Sequence, residues 1–135
     1  MSEHPYERLK FYQDICEIRR MVVGITGRLD KSHMRLISQM RDAARSAKQN
    51  IKEGYRRGSL GMFLNSIRIS QGSLEELSGD IEDCLEDKLI SPAEFERFNE
   101  LYRSAIYMSI QYLKSMSKSD NKGKWNAPNS VRKDK

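Results

Sequence analysis

The sequence predicts an all-α protein, an antiparallel up-down-up-down bundle of four helices. Apolar residues recur at helical spacing, and no stretch of the 135 residues alternates apolar with polar side chains as a half-buried strand would. Glycine (8) and proline (3) are scarce. Long helices joined by loops of a few residues fold back on one another as antiparallel neighbours, which is the arrangement of a four-helix bundle.

The first predicted helix carries its apolar side chains on one seam. The residues that form this seam, at spacings of four and three, are Phe11, Ile15, Ile18, Val22, Ile25 and Leu29. Gly24 and Gly27 weaken the end of this helix, and residues 27–32 have the composition of a turn. Ser32 is then expected to cap the second helix, which is predicted over residues 33–57.

Short local signals mark the remaining helix boundaries. Gly58 ends the second helix, and Ser59 is placed to cap the third, predicted over residues 60–89. The fourth helix begins at the sequence SPAE, in which Ser91 is the cap, a proline takes the first helical position and Glu94 completes a capping box. This helix is predicted to run to about Ser117. The chain therefore divides into a bundle domain over residues 1–117 and a basic, disordered tail over residues 118–135, which holds the only tryptophan, Trp125.

The net charge of +5 is distributed unevenly along the chain. Residues 28–74 carry ten basic and three acidic side chains, residues 75–100 carry two basic and ten acidic ones, and residues 101–135 carry eight basic and two acidic ones. A molecule with one basic and one acidic region attracts nucleic acid to one side, or joins its own copies head to tail.

Targeting and redox features are few. The sequence has no apolar run of about 18 residues, and its first ten residues lack the apolar segment of a secretory signal. A cytoplasmic protein without a membrane partner is expected. Cys16 and Cys84 are expected to be reduced, buried thiols, because a disulfide framework or a zinc site needs more ligands than these two.

One face of the second helix carries five basic side chains, which we call the basic row. Its members, spaced by four, three, four and four residues, are Arg41, Arg45, Lys48, Lys52 and Arg56. The row is expected to face away from the apolar arc of the helix, and Arg57 and Arg68 are expected to extend it across the turn. Like charges on neighbouring turns repel by a few tenths of a kcal/mol per pair, so an anionic partner is expected. Nucleic acid and the acidic face of another subunit are the two alternatives to a plain solvated surface.

The row belongs to no sequence-reading motif. The chain has no helix-turn-helix spacing, zinc finger or paired RNA-binding aromatics. If nucleic acid binds, phosphate contacts dominate and affinity falls steeply with salt. Tyr55, beside the row, is either a residue that stacks on a base or a tyrosine at the core boundary.

Small and polar residues predict close packing of the second helix on the third. The residues assigned to this contact are Ala43, Ala47, Asn50, Glu53 and Gly54 on the second helix, and Ser66, Ser70 and Ser73 on the third. Asn50 is a poor helix former and is expected to form a hydrogen bond across a helix interface. Gly72 and Gly79, seven residues apart, suggest another close contact.

Residues with catalytic or metal-binding spacing are not found. The acidic residues from Glu75 to Asp87 spread around their helix, without the Glu-x-x-His ligands of di-iron bundles. His4 and His33 are isolated, and Asn50 with Glu53 makes no acid–base pair. The sequence predicts a protein that is not an enzyme and has no catalytic residue, metal or cofactor.

The run SQMRDAARSAKQNIKEG over residues 38–54, followed by Tyr55 and two arginines and later by GSLEEL over residues 72–77, resembles a known family. It is similar to the four-helix-bundle proteins first noticed in intervening sequences of bacterial 23S ribosomal RNA genes, whose pattern is S-Q-[ILM]-R-R-A-A-x-S-x-x-x-N-I-A-E-G, an aromatic with arginine, and G-S-x-x-E-L. The resemblance covers about residues 8–116. The chain departs from the pattern at Asp42, where arginine is common, and at Lys52, where alanine is usual.

This resemblance implies a bundle that assembles into a ring-shaped homopentamer. A related branch, the accessory variability proteins of diversity-generating retroelements, binds nucleic acid and a reverse transcriptase. The implied partners are therefore other copies of the chain, RNA or DNA, and a reverse transcriptase. At the matching positions, Arg41 and Arg56 would belong to the basic surface, whereas Asn50, Glu53 and Gly54 would be structural.

Two hypotheses follow from the sequence. In the first, the chain is a non-enzymatic, oligomeric accessory protein that binds RNA or DNA through its basic surface with little sequence specificity. In the alternative, it is a protein-interaction scaffold whose charged faces serve only ring assembly and a protein partner.

Overall fold

The structure is a computed structural model that describes residues 4–121, with side chains described to residue 118. Its four long helices are α1 (Lys10–Arg28), α2 (Met34–Arg56), α3 (Leu60–Glu86) and α4 (Pro92–Asn121), and short 3-10 turns at Pro5–Arg8 and Lys31–His33 precede α1 and α2. The described residues contain no strand, so the predicted all-α class is confirmed. Helix α4 continues past Ser117, where it was expected to end. The rest of the predicted tail, with Trp125, lies outside the described residues.

The helices form a ring of neighbours. Helix α2 packs between α1 and α3, and α4 packs between α3 and α1. Short connections make consecutive helices antiparallel, so α1 and α3 lie on one diagonal of the bundle and α2 and α4 on the other. One end of the bundle therefore holds the start of α2 and the end of α3, and the other holds the end of α2 and the start of α3.

Apolar seams from all four helices meet in one core. Its largest fully buried side chains are Phe11, Phe63, Phe98, Ile18, Met40, Ile51, Ile67, Leu74, Leu77, Ile81 and Val22. Each such side chain contributes about 1.5–3 kcal/mol through removal of its surface from water. Cys84 is buried in this core, but Cys16 is only half-buried, and both are free thiols. The expectation that both cysteines are buried is therefore wrong for Cys16.

Two helix starts are built as the sequence predicts. Ser59 Oγ accepts a hydrogen bond from the Met62 amide at 3.1 Å. The residue before it, Gly58, has a φ of 85°, a conformation that ends the helical turn at the end of α2. At α4, Glu94 Oε1 accepts from the Ser91 amide at 2.9 Å, and the Glu94 amide donates to Ser91 Oγ at 3.1 Å. The capping box thus satisfies two amides that would otherwise lack partners in the first turn.

The same Glu94 also joins two helices. Its two carboxylate oxygens accept from the guanidinium of Arg28, at the end of α1, at 2.6 and 3.1 Å. Arg28 donates in addition to the carbonyl of Leu89 at 3.2 Å. The guanidinium therefore ties the end of α1 to the loop that starts α4, and it lowers the pKa of the Glu94 carboxyl.

The predicted cap of α2 is wrong. Asp30, not Ser32, is the capping residue at this turn, and its Oδ1 accepts from the Ser32 amide at 3.0 Å. Asp30 starts the 3-10 turn Lys31–His33, and α2 begins one residue later at Met34. The residue that precedes α2, His33, makes no side-chain capping hydrogen bond, so the capping interaction lies one turn earlier, at the start of the 3-10 turn.

Helices α2 and α3 make an unusually close contact near the end of α2. A Cβ added at Gly54 would lie 2.3 Å from Ser66 Cβ and 2.2 Å from its Oγ. One turn away, the buried Ser70 hydroxyl donates to the carbonyl of Ala47 at 2.6 Å. A side-chain hydroxyl reaches the backbone of the next helix only where the two helices approach closely, which small residues permit.

Two expectations about this pair of helices are wrong. The Asn50 amide donates to the carbonyl (2.8 Å) and the hydroxyl (3.0 Å) of Ser46, on its own helix, and the link to α3 is the Ser46–Ser73 hydroxyl pair at 3.0 Å. Asn50 points toward the outer edge of the contact and therefore reaches back one turn. Gly72 and Gly79 face open space, since an added Cβ at either would meet no atom of the described chain within 4 Å.

Two aspartates are buried in the bundle, and they differ in how many of their carboxylate oxygens accept hydrogen bonds. Asp14 accepts from the Ser104 hydroxyl at 2.6 Å and pairs with Lys10. Asp80, 6% exposed, accepts from Gln39 Nε2 at 2.8 Å through Oδ1, while its Oδ2 has no hydrogen-bond partner within the described part of the chain. Burial raises the pKa of the Asp80 carboxyl above its ordinary value of 3.8, and the neighbouring Asp83 and Glu76 raise it further.

We expect the Asp80→Asn variant to be more stable than the natural protein at neutral pH, by about 1 kcal/mol. Because the folded protein holds the Asp80 proton more tightly than the unfolded chain, ionisation of Asp80 costs stability above the folded pKa, and this cost disappears as pH falls below the ordinary pKa. The advantage of the variant should therefore shrink on acidification. Urea unfolding of both proteins from neutral pH down to about pH 4 measures this. A stability difference that does not change with pH would contradict the prediction.

Candidate nucleic-acid interface

The basic row lies along the seam between α2 and α1. Arg41 Nε donates to Thr26 Oγ1 of α1 at 2.7 Å, which places the start of the row against α1. Lys48 and Lys52 are half-buried, whereas the three arginines of the row are exposed. The row therefore lies at the side of the apolar arc, on the edge of α2 that faces α1, and it does not face directly away from the core as expected. From first to last member it spans about 22 Å of helix.

Thr26 holds Arg41 in place. Its hydroxyl donates to the carbonyl of Val22 at 2.7 Å, which directs the oxygen lone pairs toward Arg41. The Arg41–Thr26 bond uses only Nε. The two terminal amino groups carry the other four of the five guanidinium N–H donors. These donors are not used by Thr26, and they can donate to the oxygens of a phosphate.

A sixth basic residue on α1 belongs with this surface. Arg19 is half-buried and precedes Thr26 by seven residues, so it projects from the same face of α1 and lies beside the row. Arg19 is not among the predicted residues, because the spacing of basic residues along α2 does not show which residues of α1 lie beside them. The heptad spacing from Thr26 was available in the sequence, but its meaning depends on knowing that Thr26 faces α2.

The acidic residues close to the row are at its edge. A carboxylate oxygen of Glu53 lies 3.9 Å from a guanidinium nitrogen of Arg56, and both side chains are more than half exposed. Asp42 is also exposed and projects toward the α3 side of α2. An exposed pair of this kind contributes at most about 1 kcal/mol, so a polyanion with several phosphates competes with it readily.

Arg57 and Arg68 do not extend the row. Arg57 lines a cleft of about 240 Å³ on the other side of α2, between α2 and α3, together with Asn50, Glu53 and Met62. Arg68 is exposed on α3, two residues before the Ser70 that contacts α2, and therefore projects roughly 200° away from that contact. The structure thus brings five of the seven predicted basic residues together and separates the other two.

The structural residues predicted on α2 and α3 occupy the opposite side of α2 from the row. Ala43 and Ala47 are buried, Gly54 abuts Ser66, and Ser70 and Ser73 bond to α2. Asn50 and Glu53 line the cleft next to this contact. Helix α2 therefore has a closely packed side toward α3 and a basic side toward α1.

Tyr55 is a core residue. It is 5% exposed, and its ring packs against Tyr6 at 4.9 Å and against Phe63 at 5.5 Å between centroids. Burial raises the pKa of the hydroxyls of Tyr6 and Tyr55. The positive charge of Arg56 opposes the rise at Tyr6, so the end of the basic row lies close to this aromatic cluster.

Two glutamates of α3 lie on the side of the bundle that faces α4, away from the row. Glu75 and Glu82 are exposed on α3 and close enough to Tyr102 of α4 to add to the rise in its pKa that burial causes. The side of α3 that faces α4 therefore carries acidic side chains, while the edge of α2 that faces α1 carries the basic row. Among the described residues no three histidines, cysteines or carboxylates are grouped to hold a metal ion. None of the helices, as far as they are described, has the length and apolar content to cross a membrane.

These features define the class of the protein, a small four-helix bundle with a basic row along one seam. The chain belongs to the 23S rRNA-intervening sequence protein family, whose sequence profile matches residues 7–111. The matched span takes in α1, α2 and α3 and most of α4, so it includes the whole basic row. No curated protein sequence matches the chain.

Proposed function

We propose that this protein is a non-enzymatic accessory protein that binds RNA or DNA through the basic row, with little sequence specificity. The observation that carries the proposal is the alignment of five basic side chains along the edge of α2 next to α1, with Arg19 on the α1 face that meets this edge. Successive members are separated by about 4.5–6 Å along the helix axis. This interval is comparable to the distance between neighbouring phosphates of one strand, so one strand can meet several members at once.

Binding of this kind draws its free energy from released counterions. Each phosphate neutralised by lysine or arginine releases condensed cations, which makes affinity fall linearly with salt on a log–log scale. The row offers no arrangement that presents side chains to base edges in a duplex groove. Low sequence specificity is the expected consequence.

The proposed assembly is a ring of several copies, and the family resemblance implies five. The basic row on α2 and the glutamates Glu75 and Glu82 on α3 lie on different sides of one chain, which suits a head-to-tail contact that repeats around a ring. The same observation favours the alternative function, a scaffold in which the charged sides are used only for assembly and for a protein partner. We propose a cytoplasmic location for either.

A reverse transcriptase of a diversity-generating retroelement is the proposed polymerase partner. This part of the proposal is supported by the resemblance of residues 38–57 and 72–77 to the intervening-sequence family, of which the retroelement accessory proteins are a related branch. A basic ring that holds single-stranded template or product beside a polymerase would be its role. Co-purification of the protein with the reverse transcriptase encoded beside it would test this partnership, and a gene that lies inside a ribosomal RNA operon without such a neighbour would argue against it.

The experiment that tests the proposal is a salt titration of binding to short single- and double-stranded RNA and DNA, with the oligomer mass measured in the same buffers. Five phosphate contacts on a single strand predict a log–log slope of about −3.5 per copy. The mass should stay constant over the titration. A stable oligomer that binds none of the probes at low salt would contradict the proposal and favour the scaffold.

A further inference from the structure

An exposed aromatic ring lies at the end of the basic row. The ring of His4 stacks on that of Tyr6, with centroids 5.7 Å apart and planes 11° from parallel, and lies 6.1 Å from the ring of Tyr55. Tyr6 and Tyr55 are buried, while His4 is exposed. The imidazole is thus flanked by two buried tyrosines on its inner side and keeps an exposed surface.

The turn that carries His4 is itself fixed. The His4 amide donates to Glu7 Oε1 at 2.7 Å, and the Glu7 amide donates to the His4 carbonyl at 2.9 Å. Gln13 of α1 donates to the Glu7 carbonyl at 3.2 Å, and Tyr6 meets Tyr12 of α1 edge to face at 5.0 Å. The backbone at His4 and the tyrosine on which its ring stacks are therefore fixed, so binding of a base on this ring would cost little conformational entropy in the protein.

The stacked ring adjoins the basic row. Tyr55, whose ring lies 6.1 Å from that of His4, directly precedes Arg56, the last member of the row. The positive charge of Arg56 also acts on the Tyr6 hydroxyl, where it lowers the pKa. The carboxylate of Glu7 lies on the same turn and would repel a phosphate placed there. An uncharged base, by contrast, meets a flat ring and no opposing charge, so a base fits above His4 and phosphates fit along the row.

We propose that the ligand of this surface is a single strand of RNA or DNA, whose phosphates follow the basic row and one of whose bases stacks on the exposed surface of His4. The proposal rests on the nucleic-acid function proposed above and specifies its substrate class. A base in a duplex is already paired and stacked on its neighbours. An unpaired base, by contrast, can turn away from its neighbours and stack on the His4 ring.

The test compares His4→Ala and His4→Phe with the natural protein on two probes. One probe is an oligoadenylate of about eight nucleotides, and the other is an abasic deoxyribose-phosphate strand of equal length, which has the charge but no base. His4→Ala should weaken binding of the oligoadenylate about 10-fold and leave the abasic strand unaffected. His4→Phe, which keeps a ring, should stay within about twofold of the natural protein on both.

His33→Ala is the matched control, because His33 is the only other histidine and lies at the far end of α2. It should bind both probes like the natural protein. Thermal unfolding by circular dichroism checks that each variant is folded. Two results would contradict base stacking on His4 without contradicting phosphate binding by the basic row. One is equal binding of oligoadenylate by His4→Ala and the natural protein. The other is an equal loss of affinity in the alanine and phenylalanine variants. A natural protein that binds neither probe would overturn the proposed function as well.

Discussion

Replacement of Gly54 by alanine is expected to lower the free energy of unfolding by about 2 kcal/mol, although alanine is the better helix former. The new methyl group would lie 2.2–2.3 Å from the side chain of Ser66 and 3.2 Å from the Met62 carbonyl, so α2 and α3 must move apart. Overpacking of this kind costs about 3 kcal/mol, and the gain in helix propensity returns about 1 kcal/mol. Urea unfolding followed by circular dichroism measures the difference.

Two further variants isolate the cause. Gly72→Ala is the matched control, because Gly72 is also within a helix but faces open space, and it should raise stability by about 0.5–1 kcal/mol. Addition of Ser66→Gly to the Gly54→Ala variant removes the clashing side chain and should recover much of the loss. If Gly54→Ala were as stable as Gly72→Ala, the close contact between α2 and α3 at Gly54 would be refuted.

The double variant Lys48→Glu, Lys52→Glu is expected to weaken binding of single-stranded RNA or DNA on the order of 100-fold at low salt. It removes two phosphate contacts from the middle of the basic row and places two negative charges there. The slope of affinity against salt should become shallower, since fewer counterions are released. Fluorescence anisotropy with a labelled oligonucleotide, at several salt concentrations, measures both quantities.

The matched control is Arg68→Glu with Lys114→Glu, which lowers the net charge by the same amount. Both of these residues are exposed, on α3 and α4, away from the row. This control should reduce affinity only slightly and leave the slope unchanged. Equal losses in the two double variants would mean that overall charge, not the row, attracts the ligand. Dissociation of the oligomer by Lys48→Glu, Lys52→Glu alone would favour the scaffold function.

Helix boundaries were predictable wherever one short motif determines the local geometry. Ser91 and Glu94 satisfy each other's amides, and Gly58 adopts a positive φ that other residues avoid, so these signals act without help from the rest of the fold. The start of α2 was predicted to within one residue, but the residue that caps the turn before it was not. Asp30 and Ser32 are both good caps, and the choice between them depends on how the chain leaves α1.

The residues of the basic row on α2 were predictable from the sequence, but the residues of other helices that lie next to the row were not. Helical spacing alone places Arg41 and Arg56 on one face, and this required no knowledge of the neighbouring helices. Which neighbour that face meets is decided by the packing of the bundle, and this is why Arg19 was missed and Arg68 was included. Gly72 and Gly79 show the same limit, because a regular spacing of glycines does not reveal whether another helix lies opposite them.

The two sides of α2 are held by contacts of different stiffness. Toward α3, the Ser70 hydroxyl reaches the Ala47 backbone and Gly54 leaves no room for movement against Ser66, so α2 and α3 should open together as one cooperative unit. Toward α1, a long side chain, Arg41, spans to Thr26. In native-state hydrogen exchange, we therefore expect the amides of α2 and α3 to exchange at the slowest rates. Binding of a ligand to the basic row should first slow the local opening of α1 around Thr26, and so lower the amide exchange rates of that segment.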